Sequence, residues 1–182
     1  MSAVPGLLVQ LDIVNTPSSV LVGNVGRTVW LKVDGRGTFQ NSPGVKEFVR
    51  QMIQRGHRDF VVDLQTCELM DSTFMGTLAG LALRLKEIGQ GKLRTVNVNT
   101  RNADLLENLG LDQLFTVEGN SRESAPASLK KTEPTSDVTE QKGTVLAAHE
   151  ALIEADAQNT AKFKDVIEYL RQELSQEDRT RD

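Results

Sequence analysis

A single cysteine, Cys67, is all the thiol chemistry available in 182 residues, which excludes an internal disulfide and a cysteine-based zinc site. Histidine is nearly as scarce: His57 and His149 lie far apart, without the spacing of a metal-binding helix. Aromatic residues make up only 4%, so Leu, Val and Ile must build the core. Excess positive charge is missing too. Residues 1–119 carry 12 basic and 12 acidic side chains, and residues 120–182 carry 9 and 13, which gives the whole formal charge of −4. With no basic stripe to follow a phosphate backbone, direct nucleic-acid binding is not expected. The start, Met1-Ser2-Ala3-Val4-Pro5, has neither a basic n-region nor a long apolar run, so it does not read as a signal peptide. No stretch approaches the length needed to span a bilayer. The expectation is a soluble, cytoplasmic protein.

Two runs near the start predict strands. Ser19-Val20-Leu21-Val22-Gly23 and Arg27 through Asp34 flank Asn24-Val25-Gly26, a glycine-containing connection of hairpin type. The second run alternates, with Val29, Leu31 and Val33 on one face and Thr28, Trp30 and Lys32 on the other. Gly35-Arg36-Gly37 is expected to break it. Ser42 as N-cap and Pro43 in the first turn open a helix whose stripe is Val45, Phe48, Val49, Met52 and Ile53. Asp59 through Leu64 is a short β-branched run suited to a central buried strand. A longer amphipathic stretch follows Met70, striped by Phe74, Leu78, Leu81, Leu85 and Ile88 and ended by Gly89 and Gly91. Leu93 to Val98 is the next strand, and Thr100 caps a short helix carrying Leu105, Leu106 and Leu109. Gly110 serves as the left-handed stop. Leu114 to Val117 ends the series. A hairpin followed by αβαβαβ argues an α/β fold, a mixed sheet with helices packed on it.

The composition then changes. Residues 119–143 are rich in Ser, Glu, Thr, Pro, Ala and Lys with almost no large apolar side chain, so they read as a flexible linker. Residues 144–182 hold two helical patterns, about 144–157 and 160–175, the second with Thr160 as candidate cap and a stripe of Phe163, Val166, Ile167, Leu170 and Leu174. Two helices are too few to bury such a stripe alone. Its cover comes either from this chain, as a hairpin folded back, or from a partner, including a homodimer through these helices.

Chemistry-bearing residues cluster at Leu69-Met70-Asp71-Ser72-Thr73, where a strand end meets a helix start. Hydroxyls there can simply cap the first turn. Alternatively, Ser72 is a phosphoacceptor beside Asp71. A phosphate would add about −1.5 to −2 charge at the positive end of the helix, which the fold tolerates while a partner surface is repelled. Asp63, Glu68 and Asp71 lie near one strand end, but without calcium-loop spacing they read as solvated acids, not a metal site. Gly35-Arg36-Gly37 lacks the lysine of a Walker A loop. Cys67 reads as packing. His149, in Ala147-Ala148-His149-Glu150, is expected at a helix boundary or on the surface. No nucleophile–base–orienter set is visible, so neither an enzyme nor a cofactor is expected.

Asp71-Ser72-Thr73-Phe74-Met75-Gly76, opening the long helix, and Leu109-Gly110-Leu111-Asp112-Gln113-Leu114-Phe115, closing the domain, resemble the STAS domain over roughly residues 18–118. This is the fold of anti-sigma-factor antagonists and of the cytoplasmic part of sulfate transporters. The antagonists' motif is Asp-Ser-Ser-Gly-Leu-Gly, whose first serine is phosphorylated by an anti-sigma factor that is also a serine kinase. Only the unmodified form binds that kinase. The resemblance implies a STAS domain over residues 1–118, with Ser72 as acceptor and Thr73 as the secondary one. It implies a docking face including exposed Asp71, Thr73 and Met75, and a bacterial partner-switching role in sigma-factor-dependent transcription. Phe74 departs from the motif's first glycine, Thr73 from its second serine, and Gly35-Arg36-Gly37-Thr38 from the family's Gly-Glu-Leu-Asp. These departures motivate the alternative of a non-switching scaffold or ligand-sensing module that works through its C-terminal helices.

Overall fold

A computed structural model describes residues 18–181. The reading of Met1 to Pro5 lies outside these residues. The chain runs β1 (Ser19–Val25), β2 (Thr28–Gly37), α1 (Ser42–Gln54), β3 (Asp59–Asp63), β4 (Cys67–Met70), α2 (Ser72–Ile88), β5 (Lys92–Val96), α3 (Thr100–Asn108), β6 (Thr116–Val117), β7 (Lys130–Lys131), α4 (Val138–Ala155) and α5 (Thr160–Arg181). The strand order is β6-β5-β3-β2-β1-β7, with β4 paired to β2. β1 runs antiparallel to β2 and to β7, whereas β2, β3, β5 and β6 are parallel neighbours. The sheet is therefore mixed, as the hairpin and the αβ repeats require.

Strand alternation sets the two sides of the molecule. Val29, Leu31 and Val33 join Phe60 and Val62 in the main core, where they meet apolar residues of α1, α2, α3 and α4. Trp30, Val61 and Val96 face the other way and form a second cluster with Ala125 and Leu129. That second cluster corrects the linker expectation for residues 119–143. Few apolar residues are needed to close a small sheet face, and Ala125 and Leu129 suffice. The segment is tied down by Ala125 N–H to buried Asp63 (2.8 Å), Asn97 Nδ2 to the Glu123 carbonyl (2.9 Å) and an Arg94–Glu123 ion pair (3.1 Å). It ends in β7, and the Thr132 N–H donates to the Val20 carbonyl. Helix α4 then starts at Val138, capped by Asp137, whose side chain accepts from the Glu140 N–H.

Three local expectations are also corrected. β2 does not break at Gly35 but runs on through Arg36 and ends at Gly37. The strand passes through a register shift there and exchanges β3 for β4 as its neighbour, helped by Gly35 at φ 77°. Asn41, not Ser42, is the N-cap of α1. The Ser42 hydroxyl donates to the Thr38 carbonyl (2.8 Å) and is fully buried. Asn99, not Thr100, caps α3. Gly110 does take the left-handed conformation, at φ 71°.

The C-terminal stripe is covered by its own chain. The pair α4–α5 folds back, burying Ala151 and Leu152 of α4 in the main core and packing Phe163 against it. Ile167 and Leu170 are buried as well. Asn159 is fully buried between the helices and donates to the Leu109 and Leu152 carbonyls. Among the described residues no helix is long and apolar enough to cross a membrane.

Candidate functional site

The site forms where β2 and β4 end side by side and α2 begins. The Asp71 N–H donates to the Gly37 carbonyl (2.9 Å), which fixes the strand end against its neighbour. Asp71 has an extended backbone and is the N-cap of α2. One carboxylate oxygen accepts from the Phe74 N–H (2.8 Å), and the other accepts from the Phe39 N–H (2.8 Å) in the turn after β2. A single carboxylate thus satisfies an orphan donor of the helix and holds the Thr38–Asn41 turn beside it. Phe39 projects from that turn with 41% of its surface exposed, next to the start of α2.

Ser72 is the first residue of α2 and is half-buried. Its Oγ lies 3.0 Å from His149 Nε2 on α4. His149 Nδ1 lies 2.7 Å from the Val145 carbonyl, which can only accept, so Nδ1 carries the proton. In the neutral ring Nε2 is then the acceptor, and the Ser72 hydroxyl donates to it. His149 is 5% exposed and its ring rests on Phe163, with centroids 4.9 Å apart and planes tilted by 59°. The expectation of a surface or boundary histidine is corrected: it sits inside α4 and faces the candidate acceptor. Nothing in the sequence spacing links positions 72 and 149; only the folded-back tail joins them.

Thr73 and Met75, expected on an exposed docking face, are both interior, at 5% and 4% exposure. Helix α2 is apolar almost all round, burying Thr73 through Gly76 in succession as well as Leu78, Ala79, Leu81, Ala82 and Leu85. Such a helix must be covered on two sides, here by the sheet and by α4. Phe74, the bulkiest departure from the family motif, points inward and is fully buried. Asp71 and Ser72 remain partly exposed, with Phe39 beside them.

The other sequence candidates fall outside this constellation. The buried Asp63 carboxylate accepts from Gln65 N–H, Asn97 Nδ2 and Ala125 N–H. Glu68 is exposed and lies 4.0 Å from Arg36. Cys67 is 2% exposed, and burial pushes its thiol up to about 11. Among the described residues, no group of His, Cys, Asp and Glu comes together as a metal site.

The family model described as "Mlab, STAS domain" matches residues 20–117, more than half of the chain. Comparison with curated proteins gives no match. Among solved structures, the NMR structure of TM1081, a Thermotoga maritima protein, aligns at TM-score 0.50 and 19% identity, covering 54% of this chain and 79% of that one. The anti-sigma factor antagonist SpoIIAA of Bacillus, in its unphosphorylated form, aligns at 0.46 and 16%, covering 59% and 89%. A sulfate transporter family protein of Wolinella succinogenes aligns at 0.43 and 16%, covering 54% and 82%.

Proposed function

The chain belongs to the STAS domain family, and on that premise we propose that it is a regulatory binding module of the anti-sigma-factor antagonist type, switched by phosphorylation at Ser72. Its partner is a serine kinase anti-sigma factor, met in the bacterial cytoplasm. The outcome is control of sigma-factor-dependent transcription. The γ-phosphoryl group of ATP held by the kinase passes to Ser72 Oγ, ADP leaves, and the hydroxyl proton is released to a base. The chain performs no reaction of its own.

One observation carries this reading. Asp71 caps α2, so the Ser72 hydroxyl stands at the positive helix end without the capping task that would explain it. The docking surface comprises Asp71, Ser72 and the exposed Phe39 ring; interior Thr73 and Met75 support it from beneath. Aromatic side chains beside a charged cap suit a protein partner. A second reading, a scaffold that does not switch and works through its C-terminal helices, is favoured by the Ser72–His149 hydrogen bond, which gives the hydroxyl a structural role. A homodimer through the tail is not needed to bury Ile167 and Leu170.

Phosphosite mapping by mass spectrometry separates the readings. With an active serine-kinase anti-sigma factor and ATP, the switch requires modification at Ser72, its loss in Ser72→Ala and its retention in Thr73→Ala. Modification at neither hydroxyl overturns the switch and leaves the scaffold.

A further inference from the structure

We infer that the α4–α5 hairpin is a removable cover held over the Ser72 face of α2, so that a partner reaches this face only when the hairpin swings away. The inference deepens the reading of Ser72 as the switch and rests on it for the identity of the partner, though not for the cover itself.

Ser72, Gly76 and Gly80 recur every four residues and line one stripe of α2. Helix α4 lies along this stripe at very close range. A Cβ placed on Gly76 would sit 2.3 Å from the Ala148 carbonyl oxygen, and one on Gly80 would sit 3.7 Å from Ala151 Cβ. At the end of the stripe, His149 takes the Ser72 hydroxyl proton into its hydrogen bond. The helix that covers the stripe therefore also occupies the acceptor.

Among the described residues the hairpin's ion pairs are all internal. Hydrogen bonds of Asn159, Lys162 and His149 to Leu109, Asn108 and Ser72 hold it to the domain. Arg171 pairs with Glu150 (2.7 Å), and Lys142 pairs with Glu173 (3.2 Å) and Glu177 (2.5 Å), all between α4 and α5. The His149–Phe163 ring contact is internal as well. These contacts would travel with the hairpin if it moved as a unit. One edge of its seat borders water: an open apolar cleft of about 360 Å³ lies between α1, α2 and α4, walled by Val49, Ile53, Leu81 and Ala147. A phosphate on Ser72 would need the volume filled by the His149 ring. Modification and cover therefore compete for the same space.

Hydrogen exchange read by mass spectrometry on the intact chain tests the cover without any partner. The amides of α4 and α5 should exchange together and at least tenfold faster than those of β3 and β5. Ser72→Glu and His149→Ala should each speed α4 and α5 exchange a further tenfold or more, while β3 and β5, unchanged, report an intact fold. Exchange of α4 at the β3 rate, or no acceleration in Ser72→Glu, overturns the cover. A second arm locks it. Cysteines at Gly80→Cys and Ala151→Cys would have Cβ atoms at the separation of an ordinary disulfide, about 3.8 Å. With a serine-kinase anti-sigma factor and ATP, the oxidised double variant should be phosphorylated at Ser72 at least tenfold more slowly than the reduced one. Equal rates overturn the cover and leave Ser72 as acceptor. No phosphate at Ser72 in either form removes the acceptor, and the exchange arm still decides the cover.

Discussion

Gly37 and Phe74 are complementary: a Cβ on Gly37 would come within 2.6 Å of the Phe74 ring, so the ring occupies the room that the glycine leaves open. Phe74, with Thr73, is where the helix start departs from the family motif, and its fully buried ring lies beneath the site instead of over Ser72. Gly37→Ala should therefore destabilise the fold by about 1–3 kcal/mol through overpacking. Urea unfolding measures the loss. If Phe74 is what opposes the alanine, adding Phe74→Leu should recover part of it.

Asp71→Ala removes the cap of α2 and the anchor of the Phe39 turn together. The cap alone contributes about 0.5–2 kcal/mol, so a loss in that range is expected. Asp71→Asn should retain the cap, because an amide oxygen still accepts from the Phe74 N–H, but lose the Phe39 anchor, because its NH2 would face that N–H donor. Chemical denaturation of the three proteins checks the order.

Gly76→Ala drives a methyl group into the Ala148 carbonyl, a backbone atom that cannot rotate aside. Helix α4 must shift. A destabilisation of about 1–3 kcal/mol is expected, with faster amide exchange in α4 and α5 and little change in β3. Gly80→Ala, with ordinary contact distances, should be nearly silent by both measures.

Cys67 should be inert. Burial raises its thiol to about 11, from an ordinary value near 9, so thiolate is scarce in the folded protein at pH 8. Iodoacetamide should label it far more slowly in native protein than in urea. The unfolded chain loses this proton first as pH rises, so the contribution of Cys67 to stability is unchanged below about pH 9 and becomes progressively unfavourable through about pH 11. Cys67→Ala should show less alkaline destabilisation over that interval.

Much of the architecture was legible because period and punctuation agree over the first 118 residues. The alternation of Val29, Leu31 and Val33 against Trp30 sorted the two sheet faces, and Pro43, Gly89 and Gly110 marked helix ends. The short strands were harder. Four residues, Cys67–Met70, carry no readable alternation, and β7 is two lysines held by pairing with β1 alone. The segment before α4 resembled a linker because its composition is polar, yet Asp137 and Glu140 are a helix-start signature that could have placed the cap. Half of the site was legible. Asp71 and Ser72 stood in a family motif, whereas His149 enters only through the tail's docking. Thr73 and Met75 were misplaced because a single stripe was assigned to a helix covered on two sides.

The strap across the rear of the sheet has a practical bearing on how the chain can be divided. The family match ends at residue 117, and a fragment cut there would leave Trp30, Val61 and Val96 without Ala125 and Leu129. Such a fragment would present bare apolar strand surface to water and invite self-association. A cut after β7, in the turn before Asp137, keeps the rear face closed but strips Ala151 and Leu152 from the main core and bares α2, so neither cut leaves a closed domain.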